Sequence, residues 1–330
     1  MANSRIAFES FDSAALRGNP LGDPHVRQVP VYLPPGYDDS TTRYPVVYLL
    51  AGFTGSGAMM LNLSAWEENL QARMDRLIAS GAILPMILVL PDCFTRYGGS
   101  QYVNSSAVGR YDDYLVELVG FIDAKFRTRP DRDFRGVAGK SSGGYGSLVL
   151  GMRHPDVFGL VADHSGDKYF EYCYLPDFPK FLNALQKYKD PQALLADPSK
   201  LKPKGSDFFN FMNIAAMAAC YSPDEKAPLG FELPFDLHTG ELRPAVWERW
   251  KAADPLALVD KYADALRSLK LLFMDCGTRD EFNLLYGCRI LHQRYDALNI
   301  PHQYEEFDDG HRNISYRLDV SLAAFSQTMG

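Results

Sequence analysis

The sequence predicts an α/β protein with a mostly parallel central sheet and helices on both faces. Short apolar runs bounded by turn residues alternate with amphipathic stretches, the pattern of successive β–α units. The rhythm lapses once, over residues 167–254, and then resumes to the carboxyl end. Within the lapse, fifteen aromatics fall between Tyr169 and Trp250, which marks a helical, aromatic-rich insertion into one domain spanning residues 1–330.

Taken in order, residues 5–11 and 26–33 form an edge hairpin or meander that stops at Pro34, Pro35 and Gly36. Residues 45–52 (PVVYLLAG) form a buried strand, 66–80 a helix ending at Gly81, and 86–93 (MILVLPDC) the next strand. An amphipathic helix covers 111–126, a strand 134–140, a helix 142–153 and a strand 159–163. Beyond the insertion come a helix over 255–268, a strand over 269–276, a helix over 281–298, a strand over 302–307 and a last helix from Asn313.

Composition removes several function classes. The chain has 330 residues, 46% of them hydrophobic, enough for a large core. Its net charge of −7, with no segregated basic patch, speaks against nucleic acid as a partner. No segment has the unbroken apolar length of a membrane span, and MANSRIAFESFDS lacks the apolar core of an export signal. Five cysteines, odd in number and without paired metal-ligand spacing, make a reducing cytoplasm the simplest compartment.

The chemistry concentrates at Gly139, Lys140, Ser141, Ser142 and Gly143, which fit G-x-S-x-G between a predicted strand and a predicted helix. A serine on such a turn is held in a strained backbone conformation with Oγ above the sheet, and small neighbours make room for it. The same stretch superficially resembles a phosphate-binding loop, but Phe134 stands where that loop needs glycine. A plain glycine-rich turn without chemistry would leave the rest of the constellation unexplained.

A serine hydroxyl needs a base, and the base needs an orienting acid. His311 follows the last predicted strand in the turn Asp308, Asp309, Gly310. His292 lies mid-helix and His302 opens a strand, whereas His164, just past a strand end, could line the pocket. For the acid there are two choices, Asp280 on the loop beyond its strand and Asp275 within it; loop placement favours Asp280. An oxyanion hole needs two backbone N–H groups. Ser142, next after the serine, supplies one, and Phe53 in the glycine-rich loop after residues 45–52 is the candidate for the other.

These segments resemble the esterase D-type branch of the α/β-hydrolases, with its S-formylglutathione hydrolases, feruloyl esterases, enterochelin esterases and antigen 85-like members. The carrying stretches are YLPPGY from Tyr32, PVVYLLAGFTGS from Pro45, LPD from Leu90 and VAGKSSGGYGSLVLGMRHPDVFGLVADHSG from Val137, with CGTRDEF from Cys276 and DGH from Asp309 completing the set. The resemblance implies an α/β-hydrolase fold, a triad of Ser141, Asp280 and His311, and oxyanion amides at Phe53 and Ser142. Ala51 and Lys140 depart from residues common in that branch, but neither position supplies a catalytic side chain. The insertion matches no member.

The expected function is hydrolysis of a small-molecule carboxylic ester through an acyl-enzyme, with no cofactor and no metal. Acyltransferase, thioesterase and peptidase variants share the machinery, and a non-catalytic binding protein is the contrasting class. For the insertion three readings stand: its own small core, a cap over the pocket, or a surface pairing two copies as a homodimer. Tyr169, Phe170, Tyr172 and Tyr174 would present one face at two-residue spacing, as would Trp247 and Trp250 at helical spacing. Phe208, Phe209 and Phe211 form a third cluster.

Overall fold

The computed structural model describes residues 3–187, 191–196 and 206–330. An eight-stranded sheet is built from β1 (Arg5–Asp12), β2 (Val26–Leu33), β3 (Val46–Leu50), β4 (Ile87–Val89), β7 (Arg135–Lys140), β8 (Leu160–His164), β9 (Leu271–Gly277) and β10 (Gln303–Phe307). A separate two-stranded ribbon joins β5 (Asn104–Ser105) to β6 (Gly109–Arg110). The order across the large sheet is β1-β2-β4-β3-β7-β8-β9-β10. β2 pairs antiparallel with β1 and β4, and every pairing from β4 through β10 is parallel.

Side-chain alternation along these strands divides the core in two. Val46, Tyr48 and Leu50 of β3 point to the face covered by α2 (Tyr111–Lys125), α3 (Ser142–Arg153) and α11 (Leu284–Ala297). Val47 and Leu49 point to the opposite face, where α1 (Leu70–Ala79) and α12 (Arg317–Met329) supply Met74, Leu77, Leu322 and Phe325. Covering helices on both faces explain why β3 is buried along its whole length.

Three predicted helices differ from expectation, two shortened by a side-chain hydrogen bond and one divided. The helix expected over 66–80 starts at Leu70, because the Asn69 side chain accepts from Ala72 N at 2.9 Å and caps it there. Trp66 is left outside, 95% exposed. The helix expected over 255–268 becomes α9 (Pro255–Leu258) and α10 (Ala263–Arg267), with residues 259–262 in turns. The helix expected over 281–298 begins only at Leu284, since Asp280 Oδ1 accepts from Phe282 N at 2.9 Å and Leu284 N at 3.3 Å.

The insertion is helical, with α4 (Phe170–Cys173), α5 (Phe178–Leu185), α6 (Pro191–Ala196), α7 (Ser206–Tyr221) and α8 (Pro244–Lys251). Residues 211–221 of α7 are buried on every side, as a helix apolar all round must be. Trp247 and Trp250 share a buried face as expected, with ring centroids 5.9 Å apart. Residues 169–174 do not form a two-residue stripe. Their backbone turns helically, so Tyr169 stacks on half-exposed Tyr172 at 4.3 Å while Phe170 and Tyr174 pack edge to face in the core at 4.7 Å. Tyr188 lies outside the described residues. Trp250, Tyr221 and Phe170 belong to the same apolar cluster as Tyr145 of α3, so the insertion and the sheet share a core. Among the described residues no helix is long and apolar enough to cross a membrane.

Candidate active site

All the parallel strands end at one edge of the sheet, and five segments leaving that edge carry the candidate residues. Ser141 follows β7 and is the residue before α3. Its backbone sits at φ 59°, ψ −127°, a conformation that costs roughly 1–3 kcal/mol for a side chain with Cβ. Two hydrogen bonds hold the turn: Ser141 N donates to His164 O and Tyr145 N donates to Ser141 O, both at 2.9 Å. The turn must also lie close to β3. A Cβ on Gly143 would come within 2.2 Å of Leu50 O, so no larger residue fits there.

Beyond β9, Asp280 Oδ2 meets His311 Nδ1 at 2.8 Å. The Asp280 side chain is fully shielded and that of His311 nearly so. With two backbone N–H groups on Asp280 Oδ1, the carboxylate has no freedom to turn away. His311 is fixed from two further sides: its own N–H donates to Glu281 Oε2 at 2.6 Å, and the Phe282 ring meets its imidazole edge to face at 4.8 Å. The loops after β9 and β10 approach so closely that a Cβ on Gly277 would sit 2.4 Å from Asp309 O. Among the described residues, His311 Nε2 has no partner within the fold.

The other candidate acid is engaged elsewhere. Asp275 Oδ1 bonds to His164 Nδ1 at 2.8 Å, and its Oδ2 accepts from Arg317 Nε at 2.7 Å. His164 completes this chain through Nε2 to Ser321 Oγ at 2.8 Å. Thus Asp280 and His311 are brought together, while Asp275 is paired with His164.

Ser141, Ser142, His311, Gly52 and Phe53 line one cavity of about 450 Å³. Ser142 is the first residue of α3, so its N–H belongs to the helix-terminal set with no intrahelical acceptor. The Phe53 loop is tied down by Thr54 N to Gly98 O and Gly55 N to Gly52 O, both 2.9 Å, and by Tyr102 OH on Ala51 O. Phe53, Tyr174, Phe209 and Phe282 give the cavity aromatic walls. From the insertion, therefore, Phe209 and Tyr174 reach the site, whereas Phe211 is core and Phe208 is half-buried against it.

The sequence reading did not single out Asp167, which lies in the polar part of the wall. Asp167 is almost wholly buried, and its Oδ2 accepts from Gln101 Nε2 and Tyr174 OH at 2.9 Å and Ser142 Oγ at 3.3 Å. Burial raises its carboxyl above the usual aspartate value, outweighing the hydrogen bonds from Gln101 and Tyr174 and the nearby His311 and Lys168, which act the other way. Its position directly after Ser165 and Gly166, at the end of β8, was the available signal. Lys140 also lines the cavity, and burial lowers its ammonium below the usual lysine value. Among the described residues only one group gathers three metal-ligating side chains, and it lies away from this cavity.

Known proteins agree with this architecture. Residues 24–324 match the family described as "Putative esterase". An endo-1,4-β-xylanase/feruloyl esterase of Xylanibacter ruminicola is 33% identical over 151 residues, 42% of this chain and 19% of that protein. An esterase of Mycobacterium tuberculosis is 25% identical over 339 residues, 96% of this chain and 58% of that protein. The chain thus spans well under two thirds of the length of either relative. A solved ferulic acid esterase shares the fold with a TM-score of 0.64 and 22% identity, each chain being covered in full. With its family match running over nearly the whole sheet and both candidate loops, the chain belongs to this esterase family and has the α/β-hydrolase fold.

Proposed function

We propose that the protein hydrolyses carboxylic esters with Ser141 as nucleophile, His311 as general base and Asp280 as the residue orienting the histidine. The observation that carries this reading is the 2.8 Å Asp280–His311 bond at the rim of a cavity shared with a serine at positive φ. Ser141 Oγ attacks the ester carbonyl while its proton passes to His311 Nε2. The carbonyl oxygen gains the negative charge and rests on the Phe53 and Ser142 amides. Collapse breaks the ester C–O bond, and His311 returns the proton to the leaving alcohol. Water then repeats the sequence in reverse, freeing the acid and Ser141. Each oxyanion donor contributes on the order of 3 kcal/mol to such a barrier.

The aromatic walls and the buried Asp167 carboxyl suit an acyl group with an aromatic ring and a hydrogen-bond donor. The feruloyl esterases among the similar proteins support that class. Residues 167–254 then act as a cap-like insertion within a single domain, supplying Tyr174 and Phe209 to the acyl wall. Five free, buried cysteines fit a reducing cytoplasm. The test is a fluorophosphonate probe followed by peptide mass spectrometry, with Ser141 as the expected adduct. A labelled protein with Ser141 unmodified would sink the assignment. Rates on matched oxygen esters, thioesters and acyl acceptors then separate hydrolysis from thioesterase and transferase chemistry.

A further inference from the structure

At the opposite end of the strands from Ser141, α11 and the residue before β10 bring together His292, Asp296 and His302. We propose that these three residues bind a divalent transition-metal cation, with zinc the natural occupant for two imidazoles and a carboxylate. One ligand atom from each residue lies within 4.8 Å of the other two. A tetrahedral ion with bonds of 2.0–2.2 Å separates its ligand atoms by about 3.3 Å, so small side-chain rotations suffice.

The hydrogen bonds argue for a site more strongly than proximity does. His302 Nδ1 lies 2.9 Å from Ile300 O, and a carbonyl can only accept, so Nδ1 carries a proton. In the neutral ring this leaves the His302 Nε2 lone pair outward, the tautomer of a histidine ligand oriented by a backbone carbonyl. That lone pair faces His292 Nδ1 at 2.7 Å. Without a metal, His292 must donate from Nδ1. Its Nε2 then presents a lone pair to Asp296 Oδ2 at 3.7 Å, two acceptors facing each other. A cation bound to one His292 nitrogen, His302 Nε2 and Asp296 supplies the missing positive charge, while the other His292 nitrogen keeps its proton.

The rings are also held in place. Tyr304 stacks on His292 at 4.5 Å with a 24° interplanar angle, and Tyr295 meets His302 edge-on at 5.0 Å. His292 and Asp296 stand four apart on α11 and so share a helical face. Both imidazoles are half-buried and Asp296 is exposed, which leaves an entry path and a position for water. The ion would clamp the last turns of α11 to the edge strand. β10 has five residues, so the site lies roughly 16 Å along the strand from the catalytic edge. Its role is stabilisation of that edge, separate from ester hydrolysis.

The test uses the full chain, stripped with chelator and dialysed, then titrated with zinc chloride and, separately, cobalt chloride. One equivalent bound at micromolar or tighter affinity is expected, with the absorption bands of low-coordinate cobalt. At a hundredfold excess of zinc over Kd, the melting temperature rises by about 4 °C. His302→Ala and Asp296→Asn should lose the cobalt spectrum and the thermal shift while retaining esterase turnover. Prior phosphonylation of Ser141, which blocks the cavity that holds His311, should leave binding unchanged. The proposal is overturned if the folded variants, checked by circular dichroism, bind the metal like the parent, or if the parent binds no equivalent below millimolar concentration.

Discussion

Two groupings of serine, histidine and aspartate lie at neighbouring strand ends of this molecule, and both histidines line cavities, but of the two only His311 keeps a ring nitrogen without a partner among the described residues. In the first, Asp275, His164 and Ser321 form a continuous chain with both contacts at 2.8 Å. His164 is 2% exposed, Ser321 sits inside the helix α12, and Asp275 also holds Arg317. Every polar atom of the histidine ring is spent within the fold. In the second, Asp280 is shielded but His311 Nε2 has no partner among the described residues, and Ser141 stands on a strained turn. The lesson is that residue types and contact distances alone do not make a nucleophile. In the proposed reading, an uncommitted nitrogen, a serine on a constrained turn and space for a substrate are needed as well.

The largest expected effect separates the two serines. Ser141→Ala should fold normally and lose turnover on the order of a millionfold, by analogy with subtilisin. Ser321→Ala should keep its turnover. Retention of a tenth of the activity by the Ser141 variant would place the nucleophile elsewhere, with Ser142 the first to check.

Next come the two acids. Asp280→Asn cannot hold the histidine tautomer, and turnover should fall by about ten-thousandfold with little change in melting temperature. Asp275→Asn should behave oppositely. It leaves Arg317 and His164 with one carbonyl acceptor between them and no counter-charge, a loss of roughly 3–5 kcal/mol in stability, while the folded fraction stays active. Denaturant titrations and steady-state kinetics on both variants decide the matter, and a reversed ranking would exchange their roles.

A smaller change is expected at the cavity wall. Asp167→Asn keeps the shape but removes a carboxylate, and the preference for hydroxylated over plain aromatic acyl esters should shift by about tenfold in kcat/KM. An unchanged ratio would mean that Asp167 serves only to position Ser142 through their 3.3 Å contact. Smallest of all, Ser321→Ala should lower stability by about 1 kcal/mol, the worth of one hydrogen bond, as read from its urea midpoint.

Much of this arrangement was legible in the residues. Apolar runs of strand length separated by amphipathic helices set the sheet, because backbone pairing and burial on both faces leave few alternatives. G-x-S-x-G between a strand and a helix located Ser141, since a serine at φ 59° tolerates only small neighbours. Chain order brought His311 and Asp280 into consideration, and the distinction between loop and strand ranked Asp280 above Asp275.

Tertiary structure decided the rest. Which aspartate meets which histidine depends on how β8, β9 and β10 register, a property of hydrogen bonding between segments 30 residues apart for β9 and β10 and 111 apart for β8 and β9. The aromatic-rich insertion read equally well as core, cap or pairing surface, because composition carries no direction. Folding sends Trp250 and Phe211 inward and leaves Phe209 against Phe53 and Phe282 at the cavity. Asp167 could not be ranked from sequence, since its burial and its hydrogen bond from Gln101, 66 residues away in the chain, exist only in the fold.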